Sequence, residues 1–218
     1  MADHELLDIY DEQDHHIGVC PRSEVHRVGH WHHTFHCWLV RDTEAGRMLV
    51  FQQRQHNKDT FPDLYDITAA GHLLAGETVE QAVRELEEEL GVPLRFDQLT
   101  PLFITRDGWE FESPSGTLID REVSSVFGAC SPLTLQQYEL QADEVAGVFE
   151  APLSQMLEMF HGERASVTAT GIYGQSAEAP AGDPPYVHVE VTVEQFVPQS
   201  PGYYEKTCTL LQQLSPLE

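Results

Sequence analysis

Basic residues are scarce in this chain. Lys and Arg number 12 against 36 Asp and Glu, a formal net charge of −24 over 218 residues. So acidic a surface repels nucleic-acid backbones and anionic membranes, both of which recruit basic patches. A nucleic-acid polymer and a membrane are therefore set aside as partners. No apolar run approaches the ~18 residues of a membrane span. Met1 to Tyr10 is acidic and lacks the basic flank and apolar core of a secretion signal, so the expected location is cytoplasmic. Cysteine is sparse too. Cys20, Cys37, Cys130 and Cys208 are widely spread, with no Cys-x-x-Cys pair, which argues against a zinc ribbon or a thioredoxin-type redox pair. In a reducing compartment they read as free thiols. No internal repeat or low-complexity tract stands out, which argues against a solenoid. A homodimer stays compatible with the sequence.

What is present is an ordinary globular composition, 41% hydrophobic and 22% charged. The length suffices for one good-sized core and is short for two domains. Leu6 to Tyr10 reads as a strand, Asp11 to Gly18 as a turn, and Ser23 to His26 as a short helical piece. Phe35 to Val40 and Met48 to Phe51 read as strands joined by the turn Asp42 to Gly46. Asp66-Ile67-Thr68, Leu102 to Ile104, Val123 to Ala129, Val145 to Phe149 and Val187 to Val193 read as further strands. Leu153 to Phe160 and Tyr204 to Leu214 read as helices, and Ala177 to Pro185 as an exposed loop. This mixture predicts an α/β or α+β domain.

The clearest helix runs from Val79 to Leu90. Thr78 with Gln81 three residues on makes a capping-box signature. Ala82, Val83, Leu86 and Leu90 supply an apolar stripe, and Gly91 then Pro93 end it. Glu85, Glu88 and Glu89 stand at i, i+3 and i+4 and share one face. That arrangement is either a solvated acidic face or a cation site. Crowded carboxylates repel, and the repulsion grows in a cleft where the effective dielectric falls. A divalent cation reverses its sign. Hard oxygen donors suit Mg²⁺ or Mn²⁺ rather than zinc, and Mg²⁺ commonly shares its coordination with substrate phosphates. Arg84 adjoins the cluster and could orient one carboxylate by a bidentate pair.

The pattern around this helix resembles the Nudix hydrolase superfamily. Gly71, Glu77, Arg84, Glu85, Leu86, Glu88, Glu89, Gly91 and Val92 fill every specified position of that family's box. One departure stands out. Six residues, not seven, separate Glu77 from Arg84, and one deletion inside a helix rotates the later residues by about 100° against the earlier ones. From Leu6 to Phe160 the chain is similar to the branch related to isopentenyl-diphosphate isomerase. Trp38-Leu39-Val40, Asp66 to His72, Pro114-Ser115-Gly116, Asp120-Arg121-Glu122-Val123 and Asp143-Glu144-Val145 carry that likeness. The isomerase needs a cysteine before its Gly-His pair, where this chain has Ala70, so hydrolysis rather than isomerisation is expected.

The resemblance implies a mixed sheet sandwiched between helices, in one Nudix domain spanning residues 1–218. The box covers 71–92, and 162–218 forms a C-terminal extension. It also implies roles. Glu85, Glu88 and Glu89 would hold Mg²⁺ or Mn²⁺, joined by the Gly71 carbonyl. Glu122 would be a further metal ligand or the base that activates water, with Glu144 a second candidate base. Arg84 and Glu85 fall in the catalytic helix. His32 and His72 match histidines that hold a second metal in the isomerase. Here they are candidates for that role or for substrate contact, within the histidine-dense run His30 to His36. Arg54 and Lys58 are the nearby cations for a diphosphate, or else ordinary surface residues. Trp31, Trp109 and Phe111 read as core aromatics or as stacking surfaces. The expected substrate is a small-molecule diphosphate attacked by water at phosphorus. A prenyl-diphosphate isomerase and a non-catalytic metabolite-binding module are the alternatives.

Overall fold

The computed structural model describes residues 5–113, 116–174 and 185–215. Strands β1 (Leu6–Tyr10) and β2 (His16–Pro21) lead into a short helix, α1 (Arg22–Val28). A long strand, β3 (Trp31–Thr43), turns into β4 (Gly46–Arg54). Two short strands, β5 (Tyr65–Asp66) and β6 (Ala69–His72), precede helix α2 (Arg84–Leu90). A two-stranded ribbon of β7 (Thr100–Ser113) and β8 (Gly116–Cys130) comes next. The chain continues through β9 (Val145–Pro152), α3 (Leu153–Phe160), β10 (Val167–Tyr173), β11 (Val187–Val191) and α4 (Tyr203–Leu211).

These eleven strands join one sheet with the spine β11-β10-β9-β4-β3-β1-β2. Alternate side chains of β3 go to opposite faces, as the period of two requires. Trp38 and Val40 enter a core covered by α3 and α4, through Leu153, Met156, Tyr203, Cys208 and Leu211. Phe35, Cys37 and Leu39 enter a second core covered by α2, through Leu86 and Leu90. The expected mixed sheet between helices is what the fold shows.

The sheet forks, and the fork positions the site. β3 pairs with β4 only from Leu39↔Val50 to Thr43↔Gly46. Before that point β3 pairs with β6 instead, from Thr34↔His72 to Cys37↔Ala69, while β4 takes β5. Fully buried Thr68 closes the crotch. Its hydroxyl accepts the Leu39 N–H at 2.9 Å and donates to the Val50 carbonyl. On its other edge β3 runs parallel to β8, which places His32 opposite Glu122.

Several sequence expectations need correction. Asp66 to Thr68 is not one strand. Ile67 and Thr68 sit at the fork, where the chain passes from β5 to β6. The turn of Asp11 to Gly18 is shorter, because β2 begins at His16. β10 was not expected, and the β7–β8 ribbon extends well beyond Leu102–Ile104 and Val123–Ala129. Much of that ribbon lacks an apolar face, since Thr105 to Glu110 is mostly polar, and the period-two signal needs a buried side. Residues 114–115 of the quoted Pro-Ser-Gly triplet and most of the 177–185 loop lie outside the described residues. Trp109 and Phe111 are absent from the core. Trp31 lies under the guanidinium of Arg106, 3.8 Å from its ring centre, and Phe111 meets Phe61 edge-on.

Candidate active site

The short spacing in the box is absorbed before the carboxylates begin. The predicted helix from Val79 is in fact two pieces, a 3-10 turn at Gln81–Val83 and α2 from Arg84. A 3-10 turn has 3.0 residues per turn against 3.6, so it accommodates a segment one residue short. The Gln81 side chain still accepts the Thr78 N–H at 2.9 Å. The helix stops where Gly91 takes a left-handed φ of 67°, a conformation glycine adopts at no steric cost. Its N–H bonds the Glu87 carbonyl, and the Val92 N–H bonds the Leu86 carbonyl.

With the register recovered, Arg84 organises three carboxylates. Its guanidinium takes both oxygens of Glu77, at 2.8 and 3.2 Å, the bidentate geometry that suits arginine. One of its terminal nitrogens lies 2.7 Å from Glu85 and 2.9 Å from Glu88. Glu77 is itself fixed by the Leu74 N–H at 2.8 Å. Glu77 therefore stays joined to the cluster despite the missing residue. The Glu85 carboxyl lies directly against Gly71. A Cβ there would sit 2.3 Å from its carboxyl carbon, so close approach alone requires glycine at that point.

Desolvation makes Glu85 and Glu89 poor anions by themselves. Desolvation pushes the Glu85 carboxyl up to about 7, with Arg84 opposing and Glu88 adding to the shift. Glu89 is 6% exposed. Its pKa is raised by burial first and then by the charge of Glu85, with Lys58 opposing. Gln52 of β4 donates to its Oε2 at 3.2 Å. Glu88 is the exposed member. The three do not crowd to within a metal's reach of one another. Among the described residues, the groups whose ligand atoms lie within 4.8 Å are His26-His32-His72 and His32-Asp120-Glu122.

The cations expected to meet a diphosphate already have partners. Arg54 donates to Asp66 at 2.7 Å and to the Thr60 carbonyl at 2.9 Å. Lys58 is bonded to Glu144, the second candidate base. A third cation was missed in the sequence. Arg22, at the start of α1, is close enough to act electrostatically on His72, Asp120 and Lys58. Among the described residues its buried Nε makes no hydrogen bond, and it pairs with Glu5 at 3.8 Å. Nothing in the sequence near Arg22 signals this, since α1 is brought to the site by the long-range pairing of β1 and β3.

Beside the fork, the other face of β3 and β6 builds a second centre. The rings of His26, His32 and His72 lie 5.1 to 5.3 Å apart, centre to centre. His32 Nε2 faces Asp120 Oδ1 at 3.6 Å and Glu122 Oε1 at 3.7 Å. His72 Nε2 faces Glu122 Oε1 at 3.8 Å, and His26 Nε2 faces Asp120 Oδ1 at 3.5 Å. The His32 tautomer follows from its other nitrogen. Nδ1 lies 3.1 Å from the His30 carbonyl, which can only accept, so Nδ1 carries a proton and Nε2 is the nitrogen that gains or loses one. Nε2 points at carboxylate oxygens, and both His32 Nε2 and Asp120 Oδ1 are buried without a hydrogen bond. Burial opposes charge on His32, yet Glu122 and Asp120 hold its pKa above the usual value. The centre selects a positive charge, and its mixed imidazole and carboxylate donors suit a first-row transition metal.

A profile of the NUDIX domain matches residues 30–170. An uncharacterized Nudix hydrolase of Clostridium acetobutylicum is 34% identical over 92% of this chain and 94% of its own length. The chain belongs to the Nudix hydrolase family. Nudix hydrolase 3 of Arabidopsis thaliana is 36% identical over 69% of this chain, which corresponds to 20% of that longer protein. An isopentenyl-diphosphate Delta-isomerase of Mycolicibacterium vanbaalenii is 39% identical over 40% of this chain and 48% of its own. A crystal structure from Deinococcus radiodurans shares the fold, with a TM-score of 0.53, 22% identity, and coverage of 74% of this chain and 91% of that one.

The Nudix segment carries Gly71, Glu85, Glu88, Glu89, His32, His72 and Glu122, while Arg22 and His26 precede it. His26 and Asp120 were not singled out from sequence as site residues. His26 carries a weak signal, as a histidine on a short helix near a histidine-rich strand. Asp120 stands two residues before Glu122, so both side chains leave β8 on one face.

Proposed function

We propose that this Nudix hydrolase cleaves a diphosphate linkage in a small molecule, with water as nucleophile and Mg²⁺ or Mn²⁺ as cofactor. The observation that carries the proposal is the partly buried Glu85 carboxyl, pressed on Gly71, clamped by Arg84 and pushed up to about 7. Holding such a group ionised at neutral pH calls for a cation. Glu85, Glu88, Glu89 and the Gly71 carbonyl would hold it, with the three carboxylates drawn closer together than they stand without an ion. When bound, a divalent ion polarises phosphate oxygens and lowers the pKa of coordinated water.

The remaining work falls to the chain's own groups. Arg22, whose Nε makes no hydrogen bond and meets Glu5 only at 3.8 Å, is a cation that could take a phosphate oxygen, and Arg54 and Lys58 can join only by leaving Asp66 and Glu144. Glu122 and Glu144 are the carboxylates that could accept the proton from water. Glu144 becomes a base only after releasing Lys58. His32 and His72, with His26, Asp120 and Glu122, form a second centre able to hold a cation. Residues 1–218 act as one domain in this reading, because β10 and β11 extend the same sheet as the Nudix segment.

Isomerisation of a prenyl diphosphate is the second reading, favoured by the isomerases among the relatives. Ala70 stands where that chemistry needs a thiol. Cys37, across the ladder from Ala69, is buried with its pKa driven up, so it does not replace one. The test is a panel of nucleotide sugars, dinucleotides, nucleoside triphosphates and isopentenyl diphosphate, assayed with Mg²⁺ for released phosphate or monophosphate. Turnover that stops on chelation supports the proposal. A folded chain that cleaves nothing, or that exchanges isopentenyl protons with labelled water, overturns it.

A further inference from the structure

We infer that His36 is a positioning residue for Glu122, locked into one tautomer by Tyr203 of the C-terminal helix. Three buried side chains make the lock. Trp38 Nε1 lies 3.1 Å from the Tyr203 hydroxyl, and His36 Nδ1 lies 3.0 Å from the same oxygen. An indole N–H can only donate. The Tyr203 oxygen therefore accepts from Trp38, and its own proton goes to the remaining neighbour, Nδ1 of His36. With Nδ1 accepting, the ring proton sits on Nε2, which faces Glu122 Oε2 at 4.0 Å. The opposite tautomer would leave the buried phenol proton unpaired, and burial makes an unpaired donor costly.

His32 and His36 lie on one face of β3 and use Nδ1 in opposite ways. His32 donates to a carbonyl through Nδ1 and turns Nε2 to Glu122 Oε1. His36 accepts through Nδ1 and turns an N–H to Oε2. Thr34, between them, bonds the Ser124 hydroxyl at 2.9 Å and lies 3.5 Å from the same Oε2. The two oxygens of Glu122 are thereby distinguished: Oε1 faces the imidazole cluster, and Oε2 faces His36 and Thr34. Tyr203 lies beyond the Nudix segment of residues 30–170, so the C-terminal extension completes the site.

The inference rests on the hydrolase reading only for the use made of Glu122, and its first test needs neither substrate nor metal. A long-range ¹H–¹⁵N correlation spectrum of the full chain, with ¹⁵N-labelled histidine, reads the ring tautomer directly. His36 signals are identified by their loss in His36→Gln. The expected result is an unprotonated Nδ1 and a protonated Nε2 in the native chain, and loss of that single tautomer in Tyr203→Phe. A proton on Nδ1, or no change in Tyr203→Phe, overturns the inference. The second test measures affinity for Mn²⁺ alone by calorimetry. Outer partners of metal ligands are commonly worth 10–100-fold in affinity, so His36→Leu should weaken binding by that factor. His36→Gln, which can still offer an N–H near Oε2, should recover most of it. Equal losses in the two variants, or none in His36→Leu, contradict the positioning role. Absence of Mn²⁺ binding by the native chain would instead count against the metal reading, and the tautomer result would still decide the inference.

Discussion

Replacing Glu85 by Gln should make the metal-free protein more stable at alkaline pH and no different at acid pH. Burial raises the folded-state pKa of Glu85 from 4.5 to about 7. Between those values the folded chain keeps a proton that the unfolded chain has released, so stability falls as pH rises through the window. At 1.36 kcal/mol per unit, the full penalty at pH 8 is about 3 kcal/mol. For a chain of this length that corresponds to roughly 6–12 °C in Tm. The substituted amide cannot ionise and escapes the penalty. Thermal melts of native chain and E85Q from pH 4 to 8.5, with a chelator present, would show curves that coincide below about pH 4.5 and separate steadily towards pH 8. Saturating Mg²⁺ should then close the gap. An ion at one hundred times its Kd contributes about 2.7 kcal/mol, and it favours the ionised carboxylate that only the native chain has. Parallel curves across the whole range would refute the claim that Glu85 is forced into an unfavourable charge.

Three further outcomes come from the same geometry. Gly71→Ala puts a methyl group 2.3 Å from the Glu85 carboxyl carbon; the helix should remain, with circular dichroism unchanged, while Mg²⁺ affinity measured by calorimetry falls at least tenfold. Arg84→Ala frees Glu77, Glu85 and Glu88 to repel one another, so turnover should drop by roughly 10²-fold, a loss of about 3 kcal/mol of transition-state stabilisation, and should depend more steeply on Mg²⁺. Leu86→Ala empties a fully buried position beneath the active helix; denaturant melts should show a loss of about 2–5 kcal/mol with the Mg²⁺ affinity of the folded protein little changed.

The box residues were legible because their information is local. Glu85, Glu88 and Glu89 share a face by helical spacing alone, and Gly91 marks the stop. The short spacing between Glu77 and Arg84 was equally visible, but its resolution was not. Whether a deletion twists a helix or tightens one turn depends on which side chains must meet, and here Arg84 reaching Glu77 decides it. Partners across the sheet were hidden. Arg54 and Lys58 read as free cations because Asp66 and Glu144 join them only when β4, β5 and β9 come together. His26, His32, His72, Asp120 and Glu122 come from four separate elements, and no spacing along the chain announces their meeting. The His36–Tyr203 contact spans 167 residues. The β7–β8 ribbon was missed for a different reason, since a strand with little buried face has little periodicity to read.

The most direct test of the catalytic account is a comparison of turnover by native chain and E85Q on the best diphosphate of the panel, monitored by ³¹P NMR in saturating Mg²⁺. The account predicts a new monophosphate resonance with the native chain, lost on chelation and slowed at least 10²-fold by the substitution while the fold persists. Cleavage by E85Q at the native rate would mean that the bond is broken elsewhere in the molecule.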